Sequence, residues 1–462
     1  MRGFVEAWLR LGCIATSLGA LMVWPAWNAG QLGLNTCGFP LAPWAHLVPR
    51  FPALNRKLRL ALPCIGLDGI GSGLKEMEWD GVDIVHAFDV DPDLIPVLQV
   101  VHGYAAVERW NIGPSGDLLA VDEANLLDVD VLIAGPPCPP WSSIGLHGGS
   151  DDVRAQVFFK TTAIIIDQAR RGVLLAFVIE MVPGMAHVVA PTGRRGDRQS
   201  YYDKWSAGLK RDLPDFDIHS WSMQTSGYLP QNRERLYTVG IRRAILHGSV
   251  RVPPTLPSSA RRFRVELAEV LHAGLPSVME DDLTGQPKAN LTTMKRRLLS
   301  CRSQGAAMSC CISIDRDPLM KFGAYVRMDG DVCTLRTQNE MLWILVVDDA
   351  GRVVVSRCLH PVERLSLQGF SPRLAEVLSK RALLRCTGNA CTAPVITSVL
   401  RQLLLPMACP SVLGVLGVPR PLCLWFLTDE AVRHVEKTRY LNTHRHLIGI
   451  MDQMVRLEAT IR

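Results

Sequence analysis

The run Val131-Leu132-Ile133-Ala134 is apolar throughout and is broken abruptly by Gly135-Pro136-Pro137. A run this short, with no polar face, belongs to a strand buried on both sides, as in parallel sheets covered by helices. Two prolines cannot continue a strand, so the chain leaves the sheet there and delivers Cys138 onto a stiff loop. In α/β folds chemistry gathers at the carboxyl ends of the strands, where this loop falls. A cysteine is ordinarily core packing. Prolines at positions 136, 137, 139 and 140 shape a loop instead.

Further strands are expected around it. Leu58 to Leu67 reads as a strand, followed by the glycine-rich turn Asp68-Gly69-Ile70-Gly71-Ser72-Gly73-Leu74 and a helix from Lys75. Such a turn presents main-chain N–H groups to a ligand. A second strand, Val82 to Phe88, ends in Asp89-Val90-Asp91. An acid there is placed to grip ribose hydroxyls, although Asp91-Pro92-Asp93 also makes a good helix N-terminus. A helix is expected from Gln156 to Arg170, then a strand from Val173 to Ile179 that terminates at Glu180. Asp217–Met223 and Arg235–Ile241 read as strands joined by a loop containing Pro230, Gln231 and Asn232. Arg233 and Arg235, two apart, point the same way by the strand period.

Composition sets outer bounds. A chain of 462 residues has room for two or three domains, and a net charge of +6 permits a polyanionic partner without demonstrating one. Thirteen cysteines, an odd number without zinc-site spacing, point to a reducing, intracellular protein with no structural metal. Residues 11–27 carry no charge, and two readings stand: a targeting or membrane-anchoring segment, or a buried or partner-docking extension. The βα rhythm lapses from 243 to 355, after a linker at Pro253-Pro254 and Pro257. Basic clusters at Arg261, Arg262 and Arg264 and at Lys295, Arg296 and Arg297 lie in this stretch, either on a nucleic-acid surface or on a plainly solvated one. The expected organisation is an extension (1–57), a first catalytic part (58–242), an inserted domain (243–355), a closing catalytic part (356–405) and a C-terminal extension (406–462).

These stretches, in this order, resemble the cytosine-C5 DNA methyltransferase family. Leu67-Asp68-Gly69-Ile70-Gly71 looks like its cofactor motif, with Leu in place of Phe. Gly135-Pro136-Pro137-Cys138, with Trp141, Ser142 and Gly145, is similar to its nucleophile motif, and Glu180-Met181-Val182 to its Glu-Asn-Val. Gln231-Asn232-Arg233-Glu234-Arg235 matches Gln-x-Arg-x-Arg. Arg357 to Phe370 and Gly388-Asn389-Ala390 with Pro394-Val395 resemble the closing elements. The resemblance implies a Rossmann-like class I methyltransferase sheet, doubly wound and mixed, with a smaller inserted target-recognition domain. It also implies S-adenosylmethionine as methyl donor and a cytosine flipped out of double-stranded DNA as acceptor.

Residue by residue, the resemblance makes Cys138 the nucleophile for cytosine C6, Glu180 the partner of N3 and the exocyclic amine, and Arg233 and Arg235 the electrostatic hold on the base. Leu67, Asp68, Gly69, Ile70, Gly71, Asp89, Val90, Asp122, Pro136, Asn389 and Ala390 are expected to line the cofactor. Asp89 takes the ribose, Val90 one adenine face and Asp122 the amino edge. Ser142, Gln231, Thr334 and Arg336 join the two basic clusters as expected nucleic-acid contacts. Partner proteins are expected at the terminal extensions, and DNA association inside the cell. Two departures stand out. Pro139 replaces a polar residue, and Met181 replaces the Asn that braces the nucleophile loop, which a thioether cannot do by donation. Two alternatives follow: a catalytically impaired DNA-binding relative, or a tRNA cytosine-C5 methyltransferase, whose Cys-Phe-Thr signature this chain lacks.

Overall fold

The computed structural model describes residues 57–76, 82–142, 152–187, 199–245, 267–272, 275, 277–302, 309–313, 326–327, 329–337, 341–348 and 352–404. Both terminal extensions, the apolar segment 11–27, the linker at 253–257 and the Arg261, Arg262 and Arg264 cluster lie outside them. Among the described residues no helix is long and apolar enough to cross a membrane.

Seven strands form one mixed sheet: β1 (Leu58–Pro63), β2 (Val82–Asp89), β3 (Asn111–Ile112), β4 (Val131–Ala134), β5 (Ala176–Met181), β6 (Phe216–Gln224) and β7 (Glu234–Arg242). Their order is β3-β2-β1-β4-β5-β7-β6. The first five run parallel, and β7 is antiparallel to both β5 and β6. Alternate residues of the central strands feed two separate cores. Leu60, Leu62, Val131, Ile133 and Val178 pack with Val97, Leu98 and Val101 of the Ile95–His102 helix and with Val395, Val399 and Leu403 of the Ala393–Leu404 helix. Ala61, Leu132, Ala134, Phe177 and Ile179 pack on the other face against Phe158, Ile164 and Ile165 of the Ala155–Arg170 helix and Leu209 of the Tyr201–Asp212 helix. Each fully buried Leu, Ile or Phe contributes about 1.5–3 kcal/mol, which is why these strands read as apolar runs without alternation. This is the doubly wound, Rossmann-like α/β fold expected.

Two element boundaries differ from expectation. β1 stops at Pro63, because Cys64, Gly66 and Asp68 take left-handed backbone (φ 58°, 55° and 60°) and turn the chain out of the sheet before the glycine-rich stretch. β5 begins at Ala176 and runs through Met181, so Glu180 is a residue of the strand and not its terminator.

A second sheet lies in the stretch where the rhythm lapsed. It has the order β11-β10-β8-β9 from β8 (Ser309–Ser313), β9 (Val326–Arg327), β10 (Leu342–Val347) and β11 (Val353–Cys358). Leu342 and Ile344 face Leu229, Leu267, Val332 and Leu335. Trp343 and Leu345 face Leu283, Leu291 and Met294 across the sheet. β11 continues to Cys358, three residues past the boundary drawn at 355, because Trp343 to Val347 of β10 pair with it along that length.

Candidate active site

The strand order reverses between β1 and β4, and loops leaving their carboxyl ends flank a crevice at that point. The β1 loop carries Cys64 and the β4 loop Cys138, close enough that Cys138 adds to the cost of ionising Cys64. Cys138 opens a single 3-10 turn, Pro139–Trp141. Trp141 is fully buried against Phe158 and Tyr201, with ring centroids at 6.0 and 5.0 Å, so the loop is pinned just after its cysteine.

Glu180, buried on β5, lies directly opposite Tyr237 in the antiparallel ladder. Arg235 is two residues before Tyr237 and therefore on the same face. Its Nε approaches Glu180 Oε1 at 3.0 Å. The approach is off the N–H line, and both atoms lack a hydrogen-bond partner among the described residues. Gly135 adjoins the same space: a Cβ there would sit 3.0 Å from Cys391 Sγ and 3.4 Å from Glu180 Oε2. Glu180, Arg235, Cys138 and Cys391 thus converge on one place, where the carboxylate and guanidinium are ion-paired without a well-aligned hydrogen bond. Buried polar groups are rarely left this way without a ligand to meet them.

Burial pushes the Cys138 thiol up to about 11, and the Glu180 carboxylate pushes in the same direction. Arg235, Arg233 and the main-chain N–H of Val182 oppose the rise. The thiol points to the Pro136 carbonyl at 3.6 Å. Met181, in the place of the bracing Asn, packs into the core at 2% exposure. The main-chain N–H of Val182, the next residue, favours the ionised form of Cys138.

Arg233 does not share Arg235's position. Its guanidinium donates to the carbonyls of Leu335, Gly388 and Ala390 at 3.4, 3.2 and 2.8 Å, which ties the closing segment to the β6–β7 loop. It reaches the site only through its charge. Burial and the neighbouring Arg235 lower its ionisation to about 10. Gln231 is also redirected: fully buried, it donates to Leu367 O at 2.7 Å and has no surface to offer a nucleic acid. Thr334 bonds the Asn232 carbonyl. Gln368 completes the closure through Thr392 and Thr387, and Thr392 meets Thr225 at 3.2 Å. The closing motif Arg357 to Phe370 is likewise structural, since Arg357 and Glu363 form a two-pronged ion pair at 2.9 and 2.6 Å. Arg336 is half-buried, and its carbonyl accepts from Arg364. Lys295 pairs with Glu280, while Arg296 and Arg297 are exposed on the Gly285–Arg302 helix. Ser142 is half-buried at the end of the pinned turn.

On the cofactor side, Asp89 ends β2 partly exposed. It accepts from the N–H groups of Gly66 and Asp91 at 2.9 and 3.1 Å, and burial disfavours its ionised form against those bonds, pushing its pKa up. Two accepted bonds leave a carboxylate two further lone-pair sites. Val90 beside it is 61% exposed, an apolar surface next to an acceptor, which fits a nucleoside. Leu67 and Ile70 are core residues, so only their main chain is available. Gly69 presses on the Cys391 carbonyl and Gly73 on Thr397, where no side chain fits. Asp68 is fully buried and spends its carboxylate on Gly71 N at 2.6 Å and on His102. Pro136 and Ala390 are buried, and Asn389 is exposed.

Asp122 was expected at the adenine amino edge. It is exposed and bonds Ala124 N and Asn125 within its own turn. Asp117, which the sequence reading did not single out, likewise caps its own turn, accepting from Leu119 N at 3.0 Å. It is half-buried and follows Gly116, whose Cα lies against the Asp89 carbonyl with no room for a side chain, while Gly113 donates to that carbonyl at 2.8 Å. The signal was a Gly-Asp pair just after β3.

Comparison with known proteins decides the family. The C-5 cytosine-specific DNA methylase profile matches residues 64–405. The chain belongs to that family. Among relatives, it is 24% identical over 294 residues to the type II methyltransferase M1.ScrFI of Lactococcus lactis subsp. cremoris, covering 63% of this chain and 66% of that protein. It is 30% identical over 175 residues to M.NlaX of Neisseria lactamica, covering 38% of this chain and 49% of that protein. The matched region thus spans about half to two thirds of these relatives' length. A solved structure of the Dnmt2 methyltransferase of S. pombe aligns with 76% of this chain and 100% of its own, at 15% identity and a TM-score of 0.47.

Proposed function

We propose that this protein is a DNA (cytosine-5-)-methyltransferase that uses S-adenosylmethionine and acts on a cytosine flipped out of the duplex. The observation that carries the reading is the convergence of Cys138, Glu180 and Arg235, with Glu180 Oε1 and Arg235 Nε buried and lacking hydrogen-bond partners among the described residues. A cytosine ring edge offers N3, an amine and a carbonyl oxygen, which is the complement of one carboxylate beside one guanidinium.

Cytosine C5 is a poor nucleophile until a thiolate adds at C6. Cys138 forms the S–C6 bond, and the ring's electron pair is displaced toward C5. Glu180 hydrogen-bonds N3 and the amine as charge builds on the ring, and Arg235 holds the base oxygen. Bound S-adenosylmethionine supplies an electrophilic methyl group for C5. Loss of the C5 proton to solvent water then restores the C5–C6 double bond as the S–C6 bond breaks, its electron pair returning to the Cys138 sulfur. At a thiol pushed up to about 11, little thiolate stands ready in the ligand-free protein, so attack depends on Val182 N–H, Arg235 and the closing of the site around the base. Asp89 takes the ribose hydroxyls, Val90 covers the adenine, and Asp117, not Asp122, is positioned for the amino edge. The second sheet, with exposed Arg296 and Arg297 on its helix, serves target recognition.

The burial of Trp141, which pins the loop just after Cys138, supports an active enzyme over an impaired relative. Methyl transfer from labelled S-adenosylmethionine to duplex DNA, with tRNA in a parallel arm, tests the reading. Incorporation into DNA that Cys138→Ala abolishes supports it. Incorporation into tRNA alone assigns the other substrate. Activity retained by Cys138→Ala refutes the mechanism.

A further inference from the structure

We infer that His102 is a positioning residue for the cofactor turn, acting through the buried carboxylate of Asp68; this rests on the cofactor reading above. Asp68 is the only non-glycine residue besides Cys64 with positive φ among the described residues. An L-residue in that region is sterically disfavoured, so something must hold it there. Its main chain is held by Ile65 O, which accepts from Asp68 N at 3.0 Å, and by Ser72 N, which donates to Asp68 O at 2.9 Å. Its side chain is wholly buried. One oxygen accepts from Gly71 N at 2.6 Å, and the other meets His102 Nε2.

A carboxylate with no exposure to water needs a donor for each oxygen, and among the described residues His102 is the side chain that meets the second one. His102 is itself fixed. It ends the Ile95–His102 helix, where Gly103 at φ 86° turns the chain away, and its ring meets the edge of Trp110 at 5.0 Å between centroids. Trp110 is anchored in turn by its indole N–H on the Ile84 carbonyl of β2, at 3.2 Å. A continuous chain of contacts thus runs from β2 through Trp110 and His102 to Asp68 and Gly71, in the turn that follows β1. No part of it touches the reacting atoms, so its effect falls on cofactor affinity and not on the chemical step.

The experiment measures S-adenosylhomocysteine binding by calorimetry, steady-state kinetics and melting temperature for the full-length protein and its His102 variants. His102→Phe keeps a ring against Trp110 but removes the donor. Loss of a hydrogen bond to a buried charge predicts binding weakened about tenfold or more, seen as a higher cofactor KM with kcat at saturation largely kept. His102→Gln places an amide N–H near the Nε2 position and restores most of the affinity. His102→Asn, whose shorter amide cannot reach it, behaves like His102→Phe and serves in its place if the Phe variant does not fold. Equal binding by wild type and His102→Phe, or a Gln variant as weak as Phe and Asn, overturns the assignment. Failure of the wild type to bind S-adenosylhomocysteine overturns the cofactor reading itself, and is distinguishable because the variants then have no affinity to lose.

Discussion

Opposite changes in Cys138 reactivity are expected from removing the two charges that flank it. Glu180→Gln deletes the carboxylate that raises the thiol, and Arg235→Met deletes the guanidinium that lowers it. From a starting value of about 11, the thiolate is a minority of roughly one part in a thousand at pH 8, corresponding to about 4 kcal/mol of ionisation cost at 1.36 kcal/mol per pKa unit. A charge at contact distance in a partly buried site moves a neighbour by about 1–3 units. Glu180→Gln should therefore lower the Cys138 value by on the order of one unit and speed alkylation about tenfold below that pH. Arg235→Met should raise it and slow alkylation by a similar factor. The assay is iodoacetamide labelling of the folded protein from pH 6.5 to 10, quenched and read by peptide mass mapping, which separates Cys138 from the other twelve cysteines. Methyl transfer falls in both variants, so reactivity and catalysis part company in Glu180→Gln. Identical Cys138 labelling rates in all three proteins would refute the electrostatic account of the site.

Arg233→Met removes the donors to three main-chain carbonyls and leaves them buried, so unfolding should become easier by about 2–4 kcal/mol, read by denaturant titration. Arg233→Lys should recover only part of this, because one ammonium cannot span three carbonyls. Asp117→Ala should raise the cofactor KM severalfold and Asp122→Ala should leave it unchanged; the reverse result restores the sequence assignment. Trp141→Ala empties a fully buried site, costs about 3–5 kcal/mol, and frees the Cys138 loop, so methyl transfer should fall more than stability alone explains, measured well below the melting temperature.

Much of the fold was legible because apolar runs and proline breaks carry local information. Val131 to Ala134 is a four-residue run with no polar position, and only a strand covered on both faces accommodates it. The convergence of Cys138, Glu180 and Arg235 follows from sheet order: one lies on the loop after β4 and the others near the adjoining ends of β5 and β7. The mistakes share a different cause. Arg233 and Gln231 were assigned to substrate because their spacing matched a motif, but one-dimensional spacing does not say which polar groups the fold itself consumes. Their partners, Leu335, Leu367, Gly388 and Ala390, lie more than a hundred residues away. Asp122 and Asp117 are separated by one short turn, and only the close packing of Gly116 on Asp89 tells them apart. Asp68 was taken as a ligand-facing residue of the glycine turn. Its left-handed backbone and its partner His102 depend on the path of the Ile95–His102 helix, which no local pattern encodes.

The central claim, that Cys138 attacks C6 of a cytosine during methyl transfer, meets its most direct test in covalent trapping. Duplex DNA carrying 5-fluorocytosine is incubated with the protein and S-adenosylmethionine, since fluorine at C5 blocks the final elimination. The account predicts a denaturation-resistant protein–DNA adduct that maps to Cys138, carries the transferred methyl group and is absent in Cys138→Ala. No adduct at Cys138 in a preparation that binds the cofactor and methylates ordinary duplex DNA would contradict it.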